Sequence, residues 1–223
     1  MIITIDGPAG SGKSTAARQL AKVLGVAYLD TGATYRAVTL AALRGGVNLE
    51  DEAALAELAR RMELRLEYAG EELRVLLDGK DVSREIRSPE VSDRSHFVAR
   101  AAAVREVLVD MQRRLGRQLA ERTGGLVAEG RDQGSVVFPD ADAKFYLDAS
   151  PEVRARRRYE EMTADGQDVR YQNVLQGIVT RDGRDRSRAV APLVRPQDAV
   201  EIDTTRMSIQ QVTAELARRL REG

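Results

Sequence analysis

The chain has 223 residues, 35 acidic and 35 basic side chains, no cysteine and one histidine, His96. That length allows one good α/β core plus a small insertion, and the balanced charge gives no global field to recruit nucleic acid or a membrane surface. Absent cysteine excludes disulfides, zinc–thiolate sites and thiol nucleophiles, and a lone histidine excludes a histidine triad or histidine metal cluster.

The first element is the β-branched run Ile2–Ile5, read as a buried strand. Gly7 to Ser14 follows as GPAGSGKS, a complete G-x-x-x-x-G-K-[ST] phosphate-binding loop, and a helix from Ser14 to the stop at Gly25 completes the setting. Gly7, Gly10 and Gly12 let the backbone turn tightly and aim successive N–H groups at phosphate oxygens. Lys13 can reach β- and γ-phosphates, and the Ser14 hydroxyl can coordinate Mg²⁺. The motif starts at residue 7, which leaves no room for a signal peptide, and no stretch approaches a membrane span; a cytoplasmic protein is expected.

A short strand at 26–29 then leads into DTGATYR and a helix to about Leu43, ended by Gly45-Gly46. Asn48 or Asp51 can cap the next helix, about 52–61. LRLEY, AGEE and LRVLLDG read as a β-hairpin, followed by the short segment KDVSREI. An antiparallel excursion in a βαβ chain marks an inserted subdomain at about 63–98. A long amphipathic helix covers 101–122 and closes at Thr123-Gly124-Gly125. Strands are expected at 126–128, 144–147 and 199–202, with helices at about 151–163, 169–186 and, capped by Ser208, up to Leu220. No repeat or low-complexity tract interrupts this order.

Lys13, Lys22, Lys80 and Lys144 are the only lysines, so nearly every basic residue is arginine. Genome composition or a warm habitat accounts for such a bias, and so does phosphate binding, because guanidinium forks match phosphate oxygens. Location has to decide. Arg131 in Glu129-Gly130-Arg131-Asp132 falls just past the carboxyl end of a core strand, where ligands sit in open α/β sheets. It is aimed at phosphates, with Asp132 able to organise Mg²⁺-bound water, or it makes a local ion pair in a surface loop. Arg154, Arg156, Arg157 and Arg158 crowd one helix before the flexible TADGQD. They form a flap that closes over a triphosphate, or a solvated face paired with Glu160 and Glu161. Arg181, Asp185 and Arg188 fall at i, i+4 and i+7, so one helical face presents cation, anion, cation. That face grips phosphates and a sugar hydroxyl, or is a salt-bridge stripe. Thr31, Tyr35 and Arg36 of DTGATYR can meet a polar, anionic substrate.

No base motif of the form H-R-D-x-x-x-x-N is present, which bears on the phosphoryl acceptor. A phosphate monoester needs no base, since its second pKa of about 6 leaves it largely a dianion at neutral pH. Its difficulty is the meeting of two anionic phosphates, which arginines and Mg²⁺ relieve.

GPAGSGKST, DTGATYR, the insert ending DVSREIRSPEV, EGRD and RDGRDRSRAVAPL together resemble the bacterial cytidylate kinase family, in order over essentially the whole chain. The resemblance implies transfer of phosphate from ATP to CMP or dCMP. It also implies the three-layer α/β/α fold of phosphate-loop NTPases with a parallel sheet, a small mixed insert that binds the monophosphate, and a short helical lid. The corresponding boundaries are core 1–30 with the phosphate loop, monophosphate-binding region 31–98, core 99–150, lid 151–168 and core 169–223.

By the same resemblance, Gly7, Pro8, Ala9, Gly10, Ser11, Gly12, Lys13, Ser14 and Thr15 hold the ATP phosphates, with Mg²⁺ at Ser14, and Arg157 and Arg158 are the lid arginines for ATP. Thr31 stands where the family usually has Ser on the cytosine side; Tyr35 and Arg36 follow in that pocket, and Arg105 matches an arginine implicated in cytosine recognition. Gly130, Arg131 and Asp132 line the acceptor; Arg131, Arg181 and Arg188 grip phosphate, and Asp185 accepts from the ribose. His96 occupies a base-contacting serine position, and Glu129 stands where Asp is common.

Closure of insert and lid on substrate would keep water from hydrolysing ATP. A monomer acting on small nucleotides, without nucleic acid or membrane, is expected. The alternatives are a kinase for UMP or another small phosphorylated acceptor, and a regulatory phosphate-loop NTPase. A GTPase switch is disfavoured because no N-K-x-D motif exists, Asn48 and Asn173 being the only asparagines.

Overall fold

Five strands form the central sheet of the protein, described by a computed structural model for residues 1–69 and 72–222. In chain order they are β1 (Ile2–Asp6), β2 (Ala27–Asp30), β6 (Leu126–Gly130), β7 (Ala143–Asp148) and β8 (Val200–Asp203), arranged β2-β6-β1-β7-β8. β1 is central and runs parallel to both β6 and β7, and β7 runs parallel to β8. Its near-continuous burial fits a strand covered on both faces, as helical crossovers require. A doubly covered, mostly parallel sheet is the α/β architecture that the alternation of elements predicts.

The chain divides into two compact units, Met1–Leu29 with Leu119–Gly223, and Asp30–Gln118. The first holds the sheet, α1 (Lys13–Leu24), α6 (Pro151–Ala164), α7 (Tyr171–Arg186) and α8 (Ile209–Glu222). The second holds α2 (Thr31–Arg44), α3 (Glu52–Arg61), α4 (Pro89–Arg100), most of α5 (Ala102–Thr123) and an antiparallel sheet of β3 (Leu64–Ala69), β4 (Glu72–Leu77) and β5 (Lys80–Asp81). The hairpin expected from LRLEY and LRVLLDG is β3 and β4, paired from Leu64↔Leu77 to Ala69↔Glu72. Gly70 and Glu71 of its AGEE turn lie outside the described residues.

Two segments differ from the sequence expectation. SPEVSDRSHFVAR, to which the sequence reading assigns no element, is helix α4, started by Ser88 accepting from Val91 N and by Pro89 in its first turn. It breaks from α5 at Ala101, which the expectation had made helical. The segment after Arg131, to which the sequence reading likewise assigns no element, contains a π-helical turn at Gln133–Val137. Both oxygens of Asp6 accept from its first amides, Gln133 N at 2.9 Å and Gly134 N at 2.8 Å.

Candidate active site

The phosphate loop springs from the buried end of β1. Gly7 has φ +152°, and a Cβ there would lie 2.1 Å from the Leu147 carbonyl oxygen, so only glycine fits. α1 begins at Lys13 with Gly12 as an N-cap that offers no side chain, leaving the first-turn amides for an anion. Ser11 Oγ is buried with no hydrogen-bond partner among the described residues, a polar atom in the loop that a phosphate oxygen would satisfy. Pro8 and Ala9 are buried in the loop, Gly10 is half-buried, and Thr15 faces out on the first turn of α1.

Lys13 is buried and its Nζ donates to Pro8 O at 3.1 Å. Burial pushes its pKa down to about 7, reinforced by Arg131 and Arg181 and opposed by Glu129 and Asp185. Ser14 Oγ donates to Glu129 Oε1 at 2.6 Å, and Tyr28 OH donates to the same oxygen at 3.2 Å. Glu129 thus reaches the Ser14 hydroxyl from the next strand, the longer acidic side chain spanning that distance.

The crowded arginines of α6 divide by position. Arg157 donates to Ser11 O at 3.4 Å, to Thr204 Oγ1 at 3.0 Å and to the Thr204 and Met207 carbonyls. Arg158 is exposed and pairs with Glu161 at 2.8 Å. Arg154, one of the crowded arginines, is not solvated at all: it is buried and paired with Asp182.

Arg131, Asp185 and Arg188 come together in the first unit. Arg131 Nε donates to Asp185 Oδ2 at 2.9 Å, and Arg188 Nη2 donates to Asp185 Oδ1. Burial alone would raise the Asp185 pKa, but Arg131, Arg188 and Arg181 outweigh it and hold the carboxyl below its ordinary value. Burial also works against the Arg131 charge, and Asp185 with Glu129 and Asp6 more than restores it. One detail corrects the helical-face expectation: α7 ends at Arg186, so Arg188 lies beyond the helix and reaches Asp185 from the segment after it. Arg181 is exposed on α7. Gly130 ends β6, and Asp132 is buried beside it, with Gln133 Nε2 donating to Asp132 Oδ1 at 3.5 Å.

In the second unit Asp30 holds the start of α2 and two arginines. It caps α2 by accepting from Ala33 N at 3.1 Å, and its Oδ2 accepts from Arg36 at 2.8 Å and Arg87 at 3.0 Å. Burial works against its ionisation, yet Arg36 and Arg87 hold its pKa below the ordinary value. Arg36 Nε is buried with no partner among the described residues, a donor free for an anion. Thr31 is buried in the first turn of α2, and the buried Arg105 guanidinium sits 5.7 Å from the Tyr35 ring centroid and donates to Ala99 O. His96, on α4, has Nδ1 2.7 Å from Asp93 O and its ring beside Phe97.

Sequence reasoning passed over Asp6, Asp30, Arg87 and Gln112. Asp30 carried a signal, an Asp immediately before a helical start. Gln112 also did, as a polar side chain among the apolar positions of α5; it is fully buried and donates to Thr34 Oγ1 at 2.7 Å.

For a divalent cation, the hydroxyl and carboxylate oxygens of Ser14 and Glu129 suit magnesium. Among the described residues no group of three or more His, Asp or Glu side chains could hold a metal alone.

Comparison with known proteins points one way. The family model described as cytidylate kinase matches residues 3–222. A cytidylate kinase of Desulforamulus reducens is 53% identical over 94% of this chain and 92% of its own. One from Pelotomaculum thermopropionicum is 50% identical over 99% and 96%, and one from Caldanaerobacter subterraneus subsp. tengcongensis is 47% identical over 99% and 95%.

Proposed function

The chain belongs to the cytidylate kinase family, and from that membership and the site geometry we infer the work of each residue. The enzyme transfers the γ-phosphoryl group of ATP to CMP and dCMP, giving CDP and dCDP. The observation that carries the residue assignment is Asp185 clasping Arg131 and Arg188 in the same unit as the phosphate loop. Two guanidiniums oriented by one buried carboxylate form a preorganised cationic site, and no solvent has to reorganise around it when charge moves.

The loop amides of Gly7 to Thr15 and the buried Ser11 hydroxyl take the ATP phosphates. Lys13, now on the Pro8 carbonyl, swings to the β- and γ-phosphates. Ser14 and Glu129 would hold magnesium, which when bound would neutralise charge on the phosphate oxygens. Arg157 and Arg158 serve the ATP side. In the first unit Arg131, Arg181 and Arg188 take phosphate and Asp185 the ribose; in the second, Thr31, Tyr35, Arg36 and Arg105 serve the base. Gly130 and Asp132 complete the acceptor lining. The acceptor dianion attacks in line without a protein base, so catalysis is positioning and charge neutralisation. This reading describes a cytoplasmic monomer acting on free nucleotides.

Its test is Arg188→Ala. Turnover with CMP should fall about a hundredfold, the usual cost of one preorganised cation at developing charge. Thermal stability should change little, because Asp185 keeps Arg131. Unchanged turnover would return Arg188 to a structural ion pair.

A further inference from the structure

Arg154 is among the largest fully buried side chains in the described residues, and its guanidinium joins three separate pieces of backbone and helix. Nε donates to Ala149 O at 2.8 Å, where β7 hands over to α6. Nη1 donates to Ala9 O at 3.0 Å, in the phosphate loop, and Nη2 donates to Asp182 Oδ2 at 2.6 Å, on α7. A lysine has one nitrogen and cannot span these acceptors; the planar fork can.

The bond to Ala9 has a directional consequence. In a trans peptide the carbonyl and the following N–H point in opposite directions. Holding Ala9 O on the outside of the loop therefore turns Gly10 N–H towards the inside. Arg157, one helical turn further along α6, holds Ser11 O in the same way and so aims Gly12 N–H. The loop is also pinned by packing: a Cβ on Gly10 would meet Arg154 O at 3.0 Å, and Ala9 packs with Ala155 and Ile178. The third bond extends the brace. Asp182 lies on α7 one turn before Asp185, the carboxylate that clasps Arg131 and Arg188.

We propose that Arg154 is a positioning residue that aims the loop amides at the ATP phosphates and ties that loop, through Asp182, to the helix that presents Asp185. The proposal rests on the kinase reading for the second half only. Arg154 touches no reacting atom; it acts through Ala9 and Asp182.

A charge-free replacement separates this role from simple stability. Exchanging a buried ion pair for apolar residues often leaves stability unchanged or improved, whereas removing one partner strands a buried charge. Arg154→Met combined with Asp182→Val should therefore unfold cooperatively near the parent temperature. ATP titrated into it without acceptor should bind about tenfold more weakly, the order expected for losing one charged hydrogen bond, and kcat with CMP should fall as well. Arg154→Lys is read alongside Leu216→Ala, a truncation of a fully buried side chain on α8 that lowers stability and makes no hydrogen bond to the loop. Arg154→Lys should lose more ATP affinity than Leu216→Ala does at matched folded fraction.

ATP affinity within twofold of the parent in the folded double variant overturns the proposal. So does a loss in Arg154→Lys no larger than in Leu216→Ala. The acceptor-free titration does not depend on CMP, so a parent enzyme that fails to phosphorylate CMP would overturn the kinase reading alone.

Discussion

Lys13 carries the clearest pH signature in the molecule. Its pKa, pushed down to about 7 by burial, lies well below the ordinary 10.5. Between those two values the unfolded chain holds more protons than the folded one, so this group makes stability rise with pH across that window. ATP phosphates reverse the effect by favouring the charged lysine. At pH 8, where ATP itself is fully ionised, ATP binding should take up close to one proton, and affinity should weaken as pH rises above about 7. Calorimetric titration in two buffers of different ionisation heat measures the uptake; equal heats in both would contradict it. Asp6 works in the other sense. Burial raises its pKa to about 6 from 3.8, so its contribution to stability is full below 3.8 and is lost as pH rises through about 6.

At the scale of elements, β1, the loop and α1 were legible because strand run, glycine spacing and helix stop agree locally. The strands β6 and β7 were equally plain, each with short apolar runs beside a turn, and β8 was read from the alternation of Val200 and Ile202 with acidic neighbours. α4 was not read as a helix, since only Val91, Val98 and Ala99 along it are buried and the apolar period is too sparse to see. Its start signal, Ser88-Pro89, was nonetheless in the sequence. Ser88→Ala should cost about 1 kcal/mol, as lost N-caps do; a shift in the urea midpoint at unchanged slope would show it, and an unmoved midpoint would contradict it. The turn at Gln133–Val137 was out of reach of local reading, because its amides are held by Asp6, 127 positions earlier. The exit of Arg188 from α7 has a similar cause: the chain turns after Ser187, and Leu193 N bonds back to Asp185 O.

At the scale of the whole molecule, the excess of arginine resolves into separate kinds of use. Arg60 and Arg61, and Arg218 and Arg219, pair with glutamates on exposed helix faces, where such pairs contribute little. Arg154 and Arg157 brace backbone carbonyls of the phosphate loop. Arg131 with Arg188, and Arg36 with Arg87, share one buried carboxylate each, Asp185 and Asp30. Position, which composition could not supply, separates a surface habit from arginines gathered on buried carboxylates. The family and the placement of these clusters lead to one central claim, that ATP phosphorylates a cytidine monophosphate here. Initial rates with ATP, magnesium and each of CMP, dCMP, UMP, AMP and GMP test it most directly. CDP and dCDP should form with kcat/KM about a hundredfold above that for AMP or GMP, a ratio within reach of a site that hydrogen-bonds its base, and ATP should be consumed only with an acceptor present. AMP or GMP as the best acceptor, or steady ATP hydrolysis without any acceptor, would contradict the account.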